Sequence, residues 1–487
     1  MEVNQQSIVI GAGLGGLTAA ALLAHAGKKP LVIDQNWIPG GCATSYPRKN
    51  VIFESGATTL VGLDKGMALN ELLRKLKISL PAQKLKIPMR VVLSDGTLLT
   101  RFQDREEWIA EAERVFGPEG QRAFWEFSFN LSDFVWRVSG KYPNFPPGNL
   151  RDFINLAKSF HPADLPFLRY TFVNEQHILK RFGLAENKRF VDFCNEQLLI
   201  SAQNHVGEVN ALFASAALCY TQLGNYYMPG GMGKISELLC DYITREGGLV
   251  MLRNKVKSIQ SLRNNQFKIQ TEKGEYNSPL LVSGIPLNNL YEIDQTGKAE
   301  KYRTYLMEPE RLYSAFQTGI VFKAKHYFDC LHHQIHLKTP FLGTEAASVF
   351  VSLSHPDDEL RAPNGQCVAS VSMHIRHPHK PIAASKAEME KAVLNVLIEN
   401  GFLNEEDVIY MHSSQQKSWE KWTGRKWGFV GGYPQYMSIK PWQMKDARHP
   451  CKGFYLSGDS VYPGQGIPGT VLSGFCAFEK ARTDGFI

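Results

Sequence analysis

The chain has no CxxC pair, no run of about 20 mainly apolar helical residues and no stripe of like charge. Its eight cysteines, Cys42, Cys194, Cys219, Cys240, Cys330, Cys367, Cys451 and Cys476, are scattered. Scatter of this kind argues against a disulfide framework, and a first strand near Ser7 leaves no space for a leader in front of it; reduced thiols and a cytoplasmic setting are expected. Two uncharged stretches, 209–233 and 460–478, resemble membrane spans only in length. The first turns polar and glycine-rich after Tyr220, and the second carries Pro463, Gly464, Gly466, Pro468 and Gly469, so neither is expected to cross a bilayer. The net charge of +7 is spread along the chain, which excludes the concentrated basic face of a nucleic-acid binder. No Gly-x-Ser-x-Gly elbow, HExxH or P-loop occurs, so a serine nucleophile, a zinc hydrolase and a nucleoside triphosphatase are all unsupported. His332, His333 and His336, and His374, His377 and His379, cluster without an acid or cysteine in ligand spacing, and structural or surface roles are expected for them rather than a metal.

What is present begins at once. Residues 7–10 read as a buried strand, followed by Gly11, Gly13 and Gly16 in GxGxxG spacing with Gly15 inside the turn. An Ala/Leu-rich helix over 17–26 ends at Gly27, and a second strand over 30–33 ends at Asp34. Gly11 allows the tight turn, Gly13 admits a diphosphate close to the backbone, and Gly16 lets the helix pack on the strand. Free N–H groups at the helix start attract phosphate. Asp34 stands where an acid accepts from ribose hydroxyls and repels a 2′-phosphate. The unit therefore predicts binding of an ADP moiety. The same expression matches again at Gly464, Gly466 and Gly469, but 460–463 is not a buried strand and Pro468 interrupts the geometry. A second dinucleotide site is thus unsupported, which favours FAD over NAD.

Further glycine signals follow in order: Pro39-Gly40-Gly41, Glu54-Ser55-Gly56, Met228-Pro229-Gly230-Gly231-Met232-Gly233 with a helix over 235–246, then Gly247-Gly248 and a strand over 250–259. Last comes Gly458-Asp459-Ser460-Val461-Tyr462-Pro463-Gly464-Gln465-Gly466. In these motifs the chain resembles the carotenoid isomerase and bacterial-type phytoene desaturase family, which includes retinol saturase-like members. The resemblance implies that Asp459 accepts from the ribitol and diphosphate side of FAD. It implies that the backbone of Gly466, Ile467 and Val471 faces the flavin, that Val256 holds the adenine through its main chain, and that Gly40, Gly41 and Gly56 let the chain pass close to the cofactor. Family desaturases often carry Arg after the glycine pair; Cys42-Ala43 stands here instead, a departure that leans toward isomerase or saturase.

The expected fold class is α/β: a discontinuous Rossmann-like FAD-binding domain with a mixed α+β substrate domain. The first is expected over 1–70, 220–300 and 440–487, the second over 71–219 and 301–439. Strand-like runs at 315–322, 348–353 and 367–374 predict a sheet roofing the flavin, and 105–205 reads as largely helical. Within 150–175, Phe153, Ile154, Leu156, Phe160, Leu165, Phe167, Leu168 and Phe172 alternate with Arg151, Lys158 and Arg169. That pattern suits both a core helix with a solvated basic face and a helix lying on a membrane; the resemblance leans to the second, as peripheral contact. Segment 209–220 suits both a tunnel wall and an ordinary core helix. Without an acid–base motif, the chemistry is expected from the flavin itself. The expected substrate is an apolar polyene, isomerised with reduced flavin. Net-redox desaturation, saturation or oxygenation stays open, as does an amine-oxidase- or protoporphyrinogen-oxidase-like activity on another substrate. The electron acceptor or donor is left open.

Overall fold

The computed structural model describes residues 2–141, 144–159, 161–263, 265–363 and 365–487. Five short strands form a parallel sheet: β1 (Ile8–Ile10), β2 (Leu31–Ile33), β3 (Leu249–Met251), β4 (Leu281–Ser283) and β5 (Phe454–Leu456). Their order is β3-β2-β1-β4-β5, with every pair parallel. Four of the five are buried along their whole length, which is why they are mainly apolar rather than alternating. The chain winds outward from β1 in one direction and from β4 in the other, and ligands of such sheets sit at the strand ends where that direction reverses.

Three helices cover this sheet: α1 (Leu14–His25), α2 (Gly233–Arg245) and α3 (Gly466–Thr483). All of α1 except His25 is buried, since α2 and α3 share one core with it. The α1–α3 contact is made at backbone distance: a Cβ on Gly474 would lie 2.6 Å from the Gly15 carbonyl oxygen. Thus the two ends of the sequence are packed together by residues without side chains.

One expected element divides in two. The strand anticipated over 250–259 is β3 followed by a separate strand, Val256–Ser261, in another sheet. Between them Arg253 takes φ of +52° and donates its N–H to Asn36, while Asn254 donates to the main chain of Asp34. The chain turns there because it braces the loop that leaves β2. The second sheet is a meander, Val256–Ser261, Phe267–Thr271 and Glu275–Ser278, with Glu2–Asn4 added in parallel.

A seven-stranded sheet forms the other layer, in the order Val408–Ser414, Tyr313–Lys323, Gln366–Arg376, Ser348–Leu353, His332–His336, Met89–Val92 and Leu98–Arg101. His332, His333 and His336 are buried in one of these strands. Positions four apart on a strand are separated by about 13 Å, so His332 and His336 do not converge. Among the described residues no three His, Cys, Asp or Glu side chains come together as a metal site.

Helices Arg105–Phe116, Gln121–Lys141, Lys188–Ser201 and Ala211–Leu218 build a separate core around Trp108, Trp125, Phe190 and Phe193. Segment 209–220, weighed above as a tunnel wall, belongs to that core. The neighbouring helix Leu150–Ser159 and the turns after it face outward: Leu150 is 75 % exposed, Phe153 59 %, Ile154 44 % and Phe172 59 %. Phe160 lies outside the described residues. Among the described residues, no helix is long and apolar enough to cross a membrane.

Candidate functional site

The crevice at the ends of β1 and β4 gathers the glycine turns. Gly11, with φ of +95°, leaves β1, and a Cβ on Gly16 would stand 2.1 Å from its carbonyl oxygen. Gly13 differs: its φ is −72°, and a Cβ there would meet nothing within 4 Å. The protein itself therefore does not demand glycine at 13, and the open space beside it is a place for a ligand. Helix α1 starts at this point with no side chain capping its N-terminus, so its first N–H groups face the crevice, as an anion-binding helix start requires.

Asp34, at the end of β2, accepts from the N–H of Ala12 through Oδ2 and of Asn36 through Oδ1, both at 2.7 Å. Burial raises its carboxyl above the ordinary value despite those two bonds. Gly40 donates to the Ala12 carbonyl at 2.7 Å and bridges Gly13, which brings the Gly40-Gly41 turn against the first one. Gly56 lies over the Cys42 carbonyl, which a Cβ at 56 would approach to 2.7 Å. Val256 opens the meander, and a register shift follows it before Ser258.

The hairpin Ser45–Arg48/Val51–Glu54 ties the crevice to the segment before α2. Glu54 accepts from the N–H of Met232 and from Ser45 Oγ, and Ser45 Oγ accepts from Gly233 N–H at 2.9 Å. Burial pushes the Glu54 carboxyl up, against the pull of the Arg361 guanidinium 3.5 Å away. Asp358 meanwhile accepts from Tyr227 Oη at 2.6 Å and from Gly230 N–H at 2.9 Å. These two buried acids hold the central glycine cluster in place.

The C-terminal turn closes the crevice. Gly458 abuts Gly15, whose Cβ would come within 2.7 Å of the Gly458 nitrogen. Asp459 follows and pairs with Arg425, Nη2 to Oδ2, at 2.5 Å. Gly466 and Ile467 open α3, which also begins without a side-chain cap, so their N–H groups are free of the helix ladder. Val471 lies on the second turn of the same helix, with its side chain fully buried in the core shared with α1.

A cavity of about 260 Å³ opens against Gly41 and Ser55, between the loop after β2 and the seven-stranded sheet. Trp37, Tyr46, Trp419 and Trp422 line it, together with Arg48 and His412, and no carboxylate does. His412, 2.8 Å from Tyr46 Oη, is held down to about 4, chiefly by burial and then by Arg48, and so is neutral at physiological pH.

Sequence reading brought together Gly11, Gly13, Gly15, Gly16, Asp34, Gly40, Gly41, Gly56, Asp459, Gly466 and Ile467, and the fold places them around one crevice. It missed the Arg425–Asp459 pair, 34 residues apart, and the Glu54–Arg361 pair, hundreds apart in the chain. The Gly13 gap, the uncapped start of α1 and Asp34 fit a dinucleotide cofactor, with Asp34 toward the ribose and the helix start toward the diphosphate.

Comparison with known proteins agrees. The model of the family "Flavin containing amine oxidoreductase" matches residues 14–477. Prolycopene isomerase 2, chloroplastic, from an Oncidium hybrid cultivar is 23 % identical over 99 % of this chain and 84 % of its own. Phytoene desaturase (neurosporene-forming) from Rhodobacter capsulatus is 23 % identical over 96 % of this chain and 92 % of its own. A redesigned putrescine oxidase has the same fold at a TM-score of 0.66 and 15 % identity, with 99 % of this chain and 100 % of that one covered.

Proposed function

The chain belongs to the flavin-containing amine oxidoreductase family and uses FAD, and from that premise we propose that it acts on a carotenoid or related apolar polyene, by cis–trans isomerisation with reduced flavin. The observation that carries this reading is similarity over nearly the whole chain to prolycopene isomerase and phytoene desaturase. FAD, when bound, supplies the electrons that such chemistry needs. The residues around it bind and orient. Asp34 and the α1 start hold the ADP half, the α3 start places positive dipole beside the flavin half, and the aromatic wall excludes water.

The cavity against Gly41 and Ser55 supports an apolar substrate over an amine. An ammonium group seeks a carboxylate, whereas this wall has none and carries Arg48. The exposed apolar side chains of 150–172, with Arg151, Lys158 and Arg169 among them, support docking on an anionic membrane surface, where a polyene resides. A net-redox desaturase is the second reading, favoured by the phytoene desaturase similarity at equal identity. Incubation with a poly-cis carotene and lipid, anaerobically with reduced FAD and in parallel with oxidised FAD as electron acceptor, separates the two. An all-trans product of unchanged mass is expected; a product that has lost or gained hydrogen makes the enzyme a desaturase or saturase, and no conversion of any polyene refutes both.

A further inference from the structure

Arg425 is pinned from both sides. Asn36 Nδ2 donates to the Trp422 carbonyl at 2.7 Å, Asn289 Nδ2 to the Gly424 carbonyl at 2.8 Å, and Lys426 N–H to Asn289 Oδ1 at 3.1 Å. Gly424, at φ of +68°, takes the left-handed turn that favours glycine. One of these braces, Asn36, lies two residues after Asp34, so the arm carrying Arg425 is tied to the loop that leaves β2.

The guanidinium is buried between Cys42 and Asp459. Its Nη2 pairs with Asp459, its Cζ lies 5.1 Å from the Phe429 ring centre, and its Nη1 is buried with no hydrogen-bond partner among the described residues. Asp459 is the carboxylate paired with it among the described residues. A guanidinium keeps its charge and five fixed donors, and a buried donor left unmade costs about 1–3 kcal/mol. Its two neighbours, Cys42 and Asp459, directly follow the Gly40–Gly41 turn and Gly458 in the chain.

We propose that Arg425 binds the FAD diphosphate through Nη1, while Nη2 neutralises Asp459, which would otherwise repel that diphosphate. This rests on the flavin reading of the crevice. It explains how an acid is tolerated beside a diphosphate, and why a residue from the far end of the chain is braced by the loop after β2.

The test compares FAD, ADP and riboflavin binding to apoprotein by calorimetry and flavin fluorescence. Arg425→Gln is expected to weaken FAD and ADP by about 30-fold or more while leaving riboflavin nearly unchanged. Arg425→Lys, which keeps the charge but not the fork, should fall between, and it serves in place of Arg425→Gln if that variant does not fold. The double variant R425Q/D459N should stay weak for FAD. Unchanged FAD affinity in the single variants overturns the proposal. So does an equal loss for riboflavin, or recovery of wild-type affinity in the double variant, which would make Arg425 only a counter-ion to Asp459. Wild-type protein that takes up no FAD would sink the flavin reading and this inference with it.

Discussion

A methyl group on Gly16 would meet the Gly11 carbonyl oxygen at 2.1 Å, whereas one on Gly13 would meet nothing within 4 Å. The same motif thus contains one glycine required by packing and one required by a ligand. Gly16→Ala should destabilise the apoprotein by about 1–3 kcal/mol or more. Gly13→Ala should leave apoprotein unfolding unchanged and abolish tight FAD uptake; thermal melts with and without FAD distinguish them. A second residue-scale expectation concerns Glu175. It is fully buried, neither carboxyl oxygen has a partner, and burial pushes it up to about 8 from 4.5. A raised acid stabilises the fold fully below its unfolded value and loses that contribution as pH rises through the folded one. Relative to Glu175→Gln, wild type should therefore lose up to about 1.4 kcal/mol per pH unit across the window from 4.5 to about 8. Urea unfolding of both proteins over that range checks it, and parallel pH profiles would refute it.

Helices show why pattern alone was ambiguous. Helix α1 is apolar on every side because it is covered on every side. Helix Leu150–Ser159 is apolar on a side that stays exposed among the described residues. Its amphipathic spacing was plain in the sequence, but which face met solvent was not, since exposure depends on neighbours. Phe153→Ser with Ile154→Ser should reduce binding to anionic vesicles by about tenfold or more, with unfolding changed by less than about 0.5 kcal/mol. Sedimentation with vesicles of varied phosphatidylserine content measures it; undiminished binding would move the contact elsewhere.

At the scale of the whole molecule, this outward-facing helix is tied to the cofactor layer by a buried charge cluster. Asp152 accepts from Arg448, both Arg448 and Lys480 lie close to it, and Lys480 also reaches Asp446 at 3.1 Å and the Pro146 carbonyl at 2.6 Å. Arg448 additionally pairs with Asp484 at 2.7 Å. Lys480 lies on α3, so the exposed helix and the helix that begins at Gly466 are mechanically joined. Asp152→Asn should loosen this junction. Because each cation keeps a second carboxylate, the loss should stay below the full cost of a broken buried pair, about 3 kcal/mol. Faster proteolysis near 142–160, with a smaller fall in the global midpoint, is the expected result.

The βαβ unit was legible because its determinants are local: strand, glycine spacing, helix and acid all fall within the first 34 residues, and short-range geometry fixes each. The long strands of the seven-stranded sheet were legible for the same reason, as runs rich in β-branched and aromatic residues; they appear at Tyr313–Lys323, Ser348–Leu353 and Gln366–Arg376. The break at Arg253 was not, since it answers to hydrogen bonds from the loop after β2. Nor was Arg425, because its role depends on Asp459, Cys42 and Asn36, and only folding brings those together. What the sequence determined by itself was therefore the cofactor class, carried by nearby residues acting through backbone geometry. What the tertiary structure alone decided was which charge faces that cofactor and which apolar face stays uncovered, because burial and electrostatic pairing are properties of neighbours in space.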